Sequence, residues 1–444
     1  MTAQLADTVT TSGAGRWRGL ADPAAGVVRY RNLRYARADR FAAPVLVPPG
    51  EEVNDPFSPV IACPQTADPV GDMATVMRDV RLTEDCQVAT VTVPDDLAPG
   101  ERLPVMVWIH GGSYVSGAGD LAIYDAAALA REGRVAVVNL TYRLGTFGFL
   151  GGDGRPANLG LLDLVVGLRW VQEAIAELGG DPGNVTVFGQ SAGADAAAHL
   201  MVADGTEGLF RRLVLQSGPF GIRGRREKLL RAARGVVGEV PVGATTADVL
   251  ALKGSVQRAA LRFGLRAGMP FAPEYGAAPL PAEAEAEAEW RRRADEVEVM
   301  IGWTSDEAAF FLGGLPAQVK QRLTGTRTGA AARRVLVRSL TDAIYRRPGA
   351  RFADLLGSAV VARYEVQWVP PGNRAGSMHA IELPLLFPAA RAWRGMTMLG
   401  TLDTARLVEI GAPLRAAWTA FARGEGAPTG DITLPGGGRV TVTR

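Results

Sequence analysis

Ser191 has the sequence surroundings of a catalytic nucleophile. It is the central residue of a Gly-x-Ser-x-Gly motif at residues 189–193. Apolar, β-prone residues 185–188 precede the motif, and an alanine-rich helical pattern follows it. A strand, a sharp turn and a helix in this order form a nucleophile elbow, which lifts the serine hydroxyl out of the sheet beside a helix N-terminus. The pattern therefore predicts covalent catalysis by the Ser191 hydroxyl.

A serine hydroxyl is a weak nucleophile at neutral pH and needs a base within hydrogen-bond distance. The chain contains three histidines, His110, His199 and His379. His110 follows an apolar run directly. His199 lies on the helix that follows Ser191, about 12 Å along its axis, and faces away from the turn. His379 lies in a loop after a predicted strand, where sheets of this kind carry their catalytic residues. Elimination and position therefore favour His379 as the base.

The base in turn needs an acidic residue that orients its ring. One common triad follows the chain order serine, acid, histidine. Asp306 and Glu307 lie in the right interval, directly after a predicted strand at residues 297–301. An Asp-Glu pair in this position is also typical of a solvated loop or a helix cap. The residues alone leave both carboxylates open as the orienting group.

Backbone N–H groups after an apolar strand can stabilise an oxyanion. Gly111, Gly112 and Ser113 follow the predicted strand at residues 105–109. A flexible loop there can direct its N–H groups into the same cleft as the nucleophile, and the N–H of Ala192 supplies a further donor. An ordinary strand-to-loop turn explains the His110-Gly-Gly run equally well.

The elements that must hold these residues alternate along the chain. Short apolar runs, typical of strands buried on both faces, are separated by helical patterns such as residues 124–132 and 159–178. The predicted strands are residues 105–109, 135–140, 185–188, 213–215, 297–301 and 361–368. Such alternation predicts an α/β fold with a mostly parallel central sheet and helices on both faces. The short strand and turn patterns of residues 26–46 predict a small N-terminal edge sheet.

Taken together, these motifs resemble the type-B carboxylesterase family of α/β-hydrolases, which includes bacterial para-nitrobenzyl esterases. The resemblance is densest over residues 84–219 and returns at residues 302–311, 379–384 and 418–422. It includes Tyr-Arg-Leu-Gly at residues 142–145, Asn-Leu-Gly-Leu-Leu-Asp at residues 158–163 and Leu-Gln-Ser-Gly at residues 215–218. The resemblance implies the α/β-hydrolase fold and a serine carboxylic-ester hydrolase.

The resemblance also assigns roles to single residues. It implies a catalytic triad of Ser191 as nucleophile, Glu307 as orienting acid and His379 as general base. It also implies an oxyanion hole formed by the N–H groups of Gly112, Ser113 and Ala192. The family's Asp-Glu-Gly run is Asp-Glu-Ala here, and Asp306 remains a second candidate for the acid. His110 is expected to support the oxyanion loop, and His199 is expected to have no special role.

Several further matches concern the surroundings of the site. By resemblance, Arg40 pairs with Glu84 and Arg143 with Asp163, and both ion pairs would fix loops near the cleft. Gln190 stands where the family has a glutamate before the nucleophile. The exchange removes a carboxylate beside the serine and is expected to shift the pH optimum.

Composition and length agree with a globular enzyme. The chain has 444 residues and 47% hydrophobic residues, which is ordinary for a globular enzyme. Its net charge of +2 is too small to produce a strong positive field that would attract nucleic acid or an anionic membrane. We expect one α/β-hydrolase domain over residues 1–444. In it, residues 1–95 form N-terminal strands and a loop, and residues 220–295 and 312–360 form helical insertions that shape the pocket.

The sequence also bears on the cellular location of the protein and on the state of its two cysteines. Residues 1–18 lack the pattern of a secretory signal, and no apolar run has the length of a membrane helix, which favours a cytoplasmic protein. Cys63 and Cys86 match the family's first disulfide loop, whereas a reducing compartment favours free thiols.

The expected reaction is hydrolysis of a small-molecule ester through an acyl-enzyme, with no metal or organic cofactor. An acyltransferase or a thioesterase would use the same acyl-enzyme, and the sequence does not separate these alternatives. A catalytically inactive binding module is a third alternative. The presence of Ser191, Glu307 and His379 together disfavours it.

Overall fold

The computed structural model describes residues 7–11, 16–66, 76–77, 79–152 and 154–443. In chain order its strands are β1 Asp7–Thr11, β2 Arg16–Asp22, β3 Val27–Arg34, β4 Ala36–Arg37, β5 Val45–Leu46, β6 Val60–Ala62, β7 Val80–Leu82, β8 Val88–Pro94, β9 Leu103–Ile109, β10 Ala136–Leu140, β11 Gly180–Gln190, β12 Arg212–Gln216, β13 Glu298–Thr304, β14 Val360–Gln367, β15 Ile432–Thr433 and β16 Arg439–Thr443. Within these residues, twelve strands form one sheet in the order β1-β2-β3-β8-β10-β9-β11-β12-β13-β14-β16-β15.

The centre of this sheet is parallel and is buried on both faces. Strands β10, β9, β11, β12, β13 and β14 are parallel neighbours, and antiparallel strands flank them at both edges. Along β9, Val105, Val107 and Ile109 belong to one hydrophobic core, and Met106 and Trp108 belong to the other. A continuous apolar run is the expected sequence of such a strand. The predicted mostly parallel sheet with helices on both faces is confirmed.

The N-terminal segment is divided between the large sheet and small ones. Strand β3 pairs with β8 and so extends the antiparallel edge of the large sheet. This pairing occupies the backbone groups of β8, which would otherwise form an open edge. Strands β4 and β5 form a separate two-stranded sheet, as do β6 and β7. The prediction of a small N-terminal edge sheet is thus met by β4–β5. Residues 1–18, and the strands and loop expected over residues 1–95, lie partly outside the described residues.

Helices cover both faces of the sheet and enclose one end of its strands. The α-helices are Ala127–Gly133, Gly145–Gly148, Leu159–Ala174, Ala192–Leu200, Glu227–Val237, Thr246–Ala260, Ala286–Ala294, Ala317–Thr324, Arg327–Thr341, Arg347–Leu356, Leu383–Leu386, Ala390–Trp393 and Leu407–Arg423. The helix predicted over residues 124–132 begins later, at Ala127, after a separate 3₁₀ helix, Ala122–Tyr124. Between them, the Asp125 carboxylate accepts the N–H of Ala127 at 3.0 Å. In the described part of the chain, no helix combines the length and apolar character needed to cross a membrane.

Candidate active site

The turn between β11 and the helix Ala192–Leu200 carries Ser191 in a left-handed backbone conformation. Its φ is 58° and its ψ is −123°, a region that non-glycine residues rarely occupy. The turn needs glycine on both sides. A Cβ on Gly189 would lie 2.5 Å from the Gly193 carbonyl carbon, and a Cβ on Gly193 would lie 2.0 Å from the Ile109 oxygen. Strand, turn and helix therefore pack closely enough to fix the serine at the end of the sheet.

His379 is in direct contact with Glu307. Its Nδ1 lies 2.5 Å from Glu307 Oε2, and both side chains are buried. The other carboxylate oxygen, Oε1, accepts the N–H of Thr304 at 2.7 Å, so the carboxylate is anchored at the end of β13. Because a carboxylate can only accept, His379 carries a proton on Nδ1 in this contact. The lone pair of the imidazole is then on Nε2.

His379 and Ser191 line the same cavity. The Gln190 side chain donates its Nε2–H to His379 Nε2 over 3.2 Å, which again requires the Nδ1-protonated tautomer. The Ser191 hydroxyl makes no hydrogen bond to another described residue. Catalytic hydrogen bonds are often loose without substrate and tighten when it binds.

Asp306 points away from the histidine. Its Oδ2 accepts the Ser305 hydroxyl at 2.8 Å and the N–H of Ser377 at 3.1 Å. It therefore holds the start of the loop that leads to His379. Of the two carboxylates that the sequence left open, Glu307 is the one that touches the imidazole.

The loop after β9 approaches the elbow closely. A Cβ on Gly111 would lie 2.7 Å from the Gln190 carbonyl oxygen, and a Cβ on Gly112 would lie 2.1 Å from the Ser116 oxygen. Ser113 follows with a φ of 53°. Gly111, Gly112 and Ser113 line the same cavity as Ser191, so the structure brings this loop to the nucleophile turn.

The cavity has a volume of about 1040 Å³ and a largely apolar wall. Its apolar lining includes Val115, Tyr124, Phe310, Leu383, Trp393 and Met398. Arg374 is the only Arg, Lys, Asp or Glu among the described residues that line it. Large apolar clefts with a few polar groups are typical of small-molecule sites.

Sequence reasoning missed Tyr345, which packs against the proposed base. Its ring centroid lies 5.2 Å from that of His379. It belongs to a π-helical turn, Asp342–Arg346, and such turns occur frequently at functional sites. Burial raises the pKa of the Tyr345 hydroxyl well above its usual value, so the residue stays uncharged beside the imidazole.

The other two histidines are enclosed away from the cavity. His110 Nδ1 lies 2.8 Å from the Gly111 oxygen, and its ring stacks on Tyr142 at 4.5 Å. Burial lowers the pKa of His110 to about 4, so it is neutral at physiological pH. His199 is buried in the helix after the elbow, with Nδ1 at 2.7 Å from the Asp195 oxygen.

Both ion pairs that the resemblance implied are formed. Arg40 Nε lies 2.7 Å from Glu84 Oε2, and Arg143 Nη2 lies 2.8 Å from Asp163 Oδ1. The second pair is buried, and Asp163 also accepts the backbone N–H of Arg143 at 3.0 Å. This fixes the segment that follows β10 against the helix Leu159–Ala174.

Cys63 and Cys86 are buried free thiols. The Cys63 sulfur accepts the N–H of Leu144 at 3.2 Å. Burial, and then the neighbouring Cys63, raise the pKa of the Cys86 thiol well above its usual value. A thiol in this state is a poor nucleophile.

A second carboxyl, Glu382, is buried near Glu307. Its Oε1 lies 3.5 Å from the Gln216 amide nitrogen, and its Oε2 has no hydrogen-bond partner in the described part of the chain. Burial, followed by the negative charge of Glu307, raises the pKa of Glu382 to about 8. The neutral, protonated form of Glu382 therefore predominates at neutral pH.

The dependence of the free energy of unfolding on pH is expected to reflect the ionisation of Glu382. A carboxyl whose pKa rises from 4.5 to about 8 on folding binds its proton more tightly in the folded state. Its stabilising contribution is complete below the lower value and is lost as the pH rises toward the upper one, at about 1.4 kcal/mol per pH unit. Glu382→Gln, which stays neutral, should gain in thermal midpoint relative to wild type as the pH is raised across this window.

The exposed Glu409 provides the matched control, since Glu409→Gln should show no such trend. A midpoint difference between Glu382→Gln and wild type that stays constant with pH would show that Glu382 is ionised throughout.

The chain is similar to a known protein family. The model of the carboxylesterase family matches residues 6–324. A probable N-octanoylanthranilate hydrolase from Rhodococcus erythropolis is 35% identical over 438 residues, covering 96% of this chain and 94% of the relative. The para-nitrobenzyl esterase of Bacillus subtilis is 31% identical over 463 residues, covering 96% and 92%.

The chain belongs to the carboxylesterase family. A solved structure of a thermophilic PNB esterase superposes with a TM-score of 0.78 at 29% identity, covering 96% of this chain and 93% of that one. This agreement confirms the α/β-hydrolase fold and the type-B carboxylesterase resemblance. The chain is thus an ester-hydrolysing enzyme, and Ser191, the loop at residues 111–113 and His379 line one large cavity.

Proposed function

We propose that this carboxylesterase cleaves its substrates through an acyl-enzyme on Ser191. On substrate binding, the Ser191 hydroxyl replaces the Gln190 amide at Nε2 of His379 and transfers its proton there as it attacks the ester carbonyl. Glu307 accepts the Nδ1–H of His379, keeps the ring in the productive tautomer and stabilises the imidazolium that forms.

The negative charge of the tetrahedral intermediate is assigned to backbone donors. The N–H groups of Gly112, Ser113 and Ala192 surround the position of the oxyanion, and the N-terminus of the helix behind Ser191 adds a favourable field. The intermediate collapses and expels the alcohol, which takes the proton from His379. Water then repeats the sequence at the acyl carbon and releases the acid.

One observation carries this proposal. The contacts of His379 with Glu307 at 2.5 Å and with Gln190 at 3.2 Å both require a proton on Nδ1 and a lone pair on Nε2. That is the state in which a general base can take a proton from a serine. Ser191 lies on the wall of the same cavity, and no second histidine of the chain lines it.

The wall of the cavity supports apolar esters that are neutral or anionic. A volume of about 1040 Å³ exceeds what a short acyl group fills. Arg374 is the only Arg, Lys, Asp or Glu among the described residues that line the cavity. The relative from Rhodococcus is named for a compound with an octanoyl chain. We also propose that residues 220–295 and 312–360 shape this pocket within a single domain, since Gln257, Pro270 and Gly313 line it.

Product analysis tests hydrolysis against acyl transfer. With p-nitrophenyl butyrate as substrate, butyrate should form in equal amount to p-nitrophenol, even when butanol or a primary amine is present at millimolar concentration. Predominant formation of butyl butyrate or of the butyramide would instead identify an acyltransferase. Identical reactions without enzyme correct for spontaneous hydrolysis.

A further inference from the structure

Tyr114 is a buried residue in a strained position directly after the oxyanion loop. Ser113 and Tyr114 have φ values of 53° and 59°, two successive non-glycine residues in the left-handed region. A residue in this region is strained and persists only where its surroundings hold it. The Tyr114 side chain is completely buried, and its ring centroid lies 4.4 Å from that of Phe149. The loop therefore depends on the anchors of Tyr114.

The Tyr114 hydroxyl donates to the carboxylate of Asp195. The distance from the hydroxyl oxygen to Asp195 Oδ2 is 2.8 Å, and neither side chain is exposed. Asp195 lies in the first turn of the helix after the elbow, and its N–H donates to the Ser191 carbonyl at 3.0 Å. The hydrogen bond thus joins two segments that are 81 positions apart in the chain.

These two segments carry the two halves of the proposed oxyanion hole. The N–H groups of Gly112 and Ser113 belong to the loop, and the N–H of Ala192 belongs to the helix that bears Asp195. A donor stabilises the oxyanion only where it already points at the position of the developing charge. The relative placement of loop and helix therefore affects the transition state more than it affects the bound ester.

The surroundings of the Tyr114–Asp195 hydrogen bond keep the Tyr114 hydroxyl protonated. Burial, and then the nearby Asp195 charge, raise the pKa of the Tyr114 hydroxyl well above its usual value, so the hydroxyl remains a donor. Burial lowers the pKa of Arg226 to about 10, and Asp195 opposes that shift. The Arg226 guanidinium therefore stays charged at neutral pH; it donates to the backbone oxygens of Ile222, Met269 and Pro270. Asp195 Oδ1 has no hydrogen-bond partner among the described residues. Oδ2 accepts the Tyr114 hydroxyl at 2.8 Å and lies 3.5 Å from His199 Nδ1.

We propose that Tyr114 and Asp195 are positioning residues for ester hydrolysis. Their hydrogen bond holds the N–H groups of the loop at a fixed position relative to the N–H of Ala192. The inference rests on the proposed acyl-enzyme mechanism. It assigns a function to a tyrosine and an aspartate that the motifs of the elbow and the loop do not include. Neither side chain lines the cavity, so both act through the backbone groups beside them.

Tyr114→Phe removes the hydroxyl and keeps the ring. We expect kcat for p-nitrophenyl butyrate to fall by about 10- to 100-fold with little change in KM, since misplacement by about 1 Å can cost 10²-fold. A trifluoromethyl ketone, which forms a tetrahedral adduct with an active-site serine, should bind more weakly by the same factor as the loss in kcat/KM. Asp195→Asn retains an acceptor oxygen for Tyr114 and should largely preserve kcat.

Tyr35→Phe is the matched control for the loss of a buried hydroxyl. Tyr35 is also completely buried and donates one hydrogen bond, to the Thr141 carbonyl at 2.8 Å. Both phenylalanine variants should lose stability to a similar extent. Only Tyr114→Phe should lose kcat and affinity for the ketone.

Two results would overturn the inference, and they are distinguishable. If Tyr114→Phe and Tyr35→Phe both lose thermal stability while kcat and ketone affinity stay at the wild-type level, Tyr114 has a structural role alone. If wild type itself forms no adduct with the ketone at Ser191, the acyl-enzyme mechanism fails and the inference fails with it. Should Tyr114→Phe not fold, a wild-type kcat in an Asp195→Leu variant would contradict the proposal equally.

Discussion

Replacement of Ser191 by alanine is expected to lower kcat for p-nitrophenyl butyrate by about 10⁶-fold, as loss of the serine does in a comparable hydrolase. The substitution removes the only atom proposed to bond to the acyl group. Alanine keeps the Cβ of serine, so the backbone strain at φ 58° stays the same. Fold and thermal midpoint should therefore change little. Initial-rate measurement over a range of enzyme concentrations detects the residual activity.

Thr66→Ala serves as the control for loss of a hydroxyl from the cavity wall. Thr66 lines the same cavity, and its hydroxyl contacts Lys253 Nζ at 3.0 Å. Its substitution should leave kcat unchanged. Retention of more than about one per cent of wild-type kcat by Ser191→Ala would mean that another group attacks the ester, since such activity far exceeds what binding and an oxyanion hole alone supply.

Replacement of Glu307 by glutamine is expected to lower kcat by about 10⁴-fold, the loss seen when the orienting acid of a serine triad becomes an amide. The glutamine amide can donate to His379 Nδ1, which would place the proton on Nε2 and remove the lone pair that Ser191 needs. It also removes the charge that stabilises the imidazolium. Glu307 is completely buried and anchored by Thr304, so no solvent molecule readily replaces its carboxylate.

Asp306→Asn is the matched control, because it alters the neighbouring carboxylate in the same turn. Asp306 contacts Ser305 and Ser377 rather than the imidazole, so its substitution should lower the thermal midpoint slightly and leave kcat near wild type. The measurement is kcat and KM for all three proteins at a common pH. The reverse order, with Asp306→Asn inactive and Glu307→Gln active, would assign the orienting role to Asp306.

The sequence predicted the parts of the site whose geometry is local. The close packing at Gly189 and Gly193 follows from the elbow motif itself, and the apolar runs of β9 and β11 are typical of strands buried on both faces. Their parallel pairing brings the loop at Gly111 beside Ser191, because the carboxyl ends of neighbouring parallel strands meet at one edge. The elbow and the apolar strands each need only a few consecutive residues to specify them, and the alternation of strands and helices predicts their parallel pairing.

The remaining features depend on side-chain directions and distant contacts. Asp306 and Glu307 are adjacent in the chain, and only the direction in which β13 ends decides which of them meets His379. Tyr345 reaches the imidazole through a π-helical turn that no short motif specifies. The unusual pKa of Glu382 arises from burial beside another carboxylate, and a sequence shows neither condition.

Covalent labelling tests the central claim, that Ser191 is the nucleophile and His379 its base, most directly. The enzyme is incubated with a p-nitrophenyl alkylphosphonate, and the modified peptide is identified by mass spectrometry with the rate of labelling measured in parallel. We predict one phosphonyl group per chain, on the peptide that contains Ser191, with no labelling in Ser191→Ala and greatly slowed labelling in His379→Ala. Labelling of a different residue, or labelling of Ser191→Ala at the wild-type rate, would contradict the account.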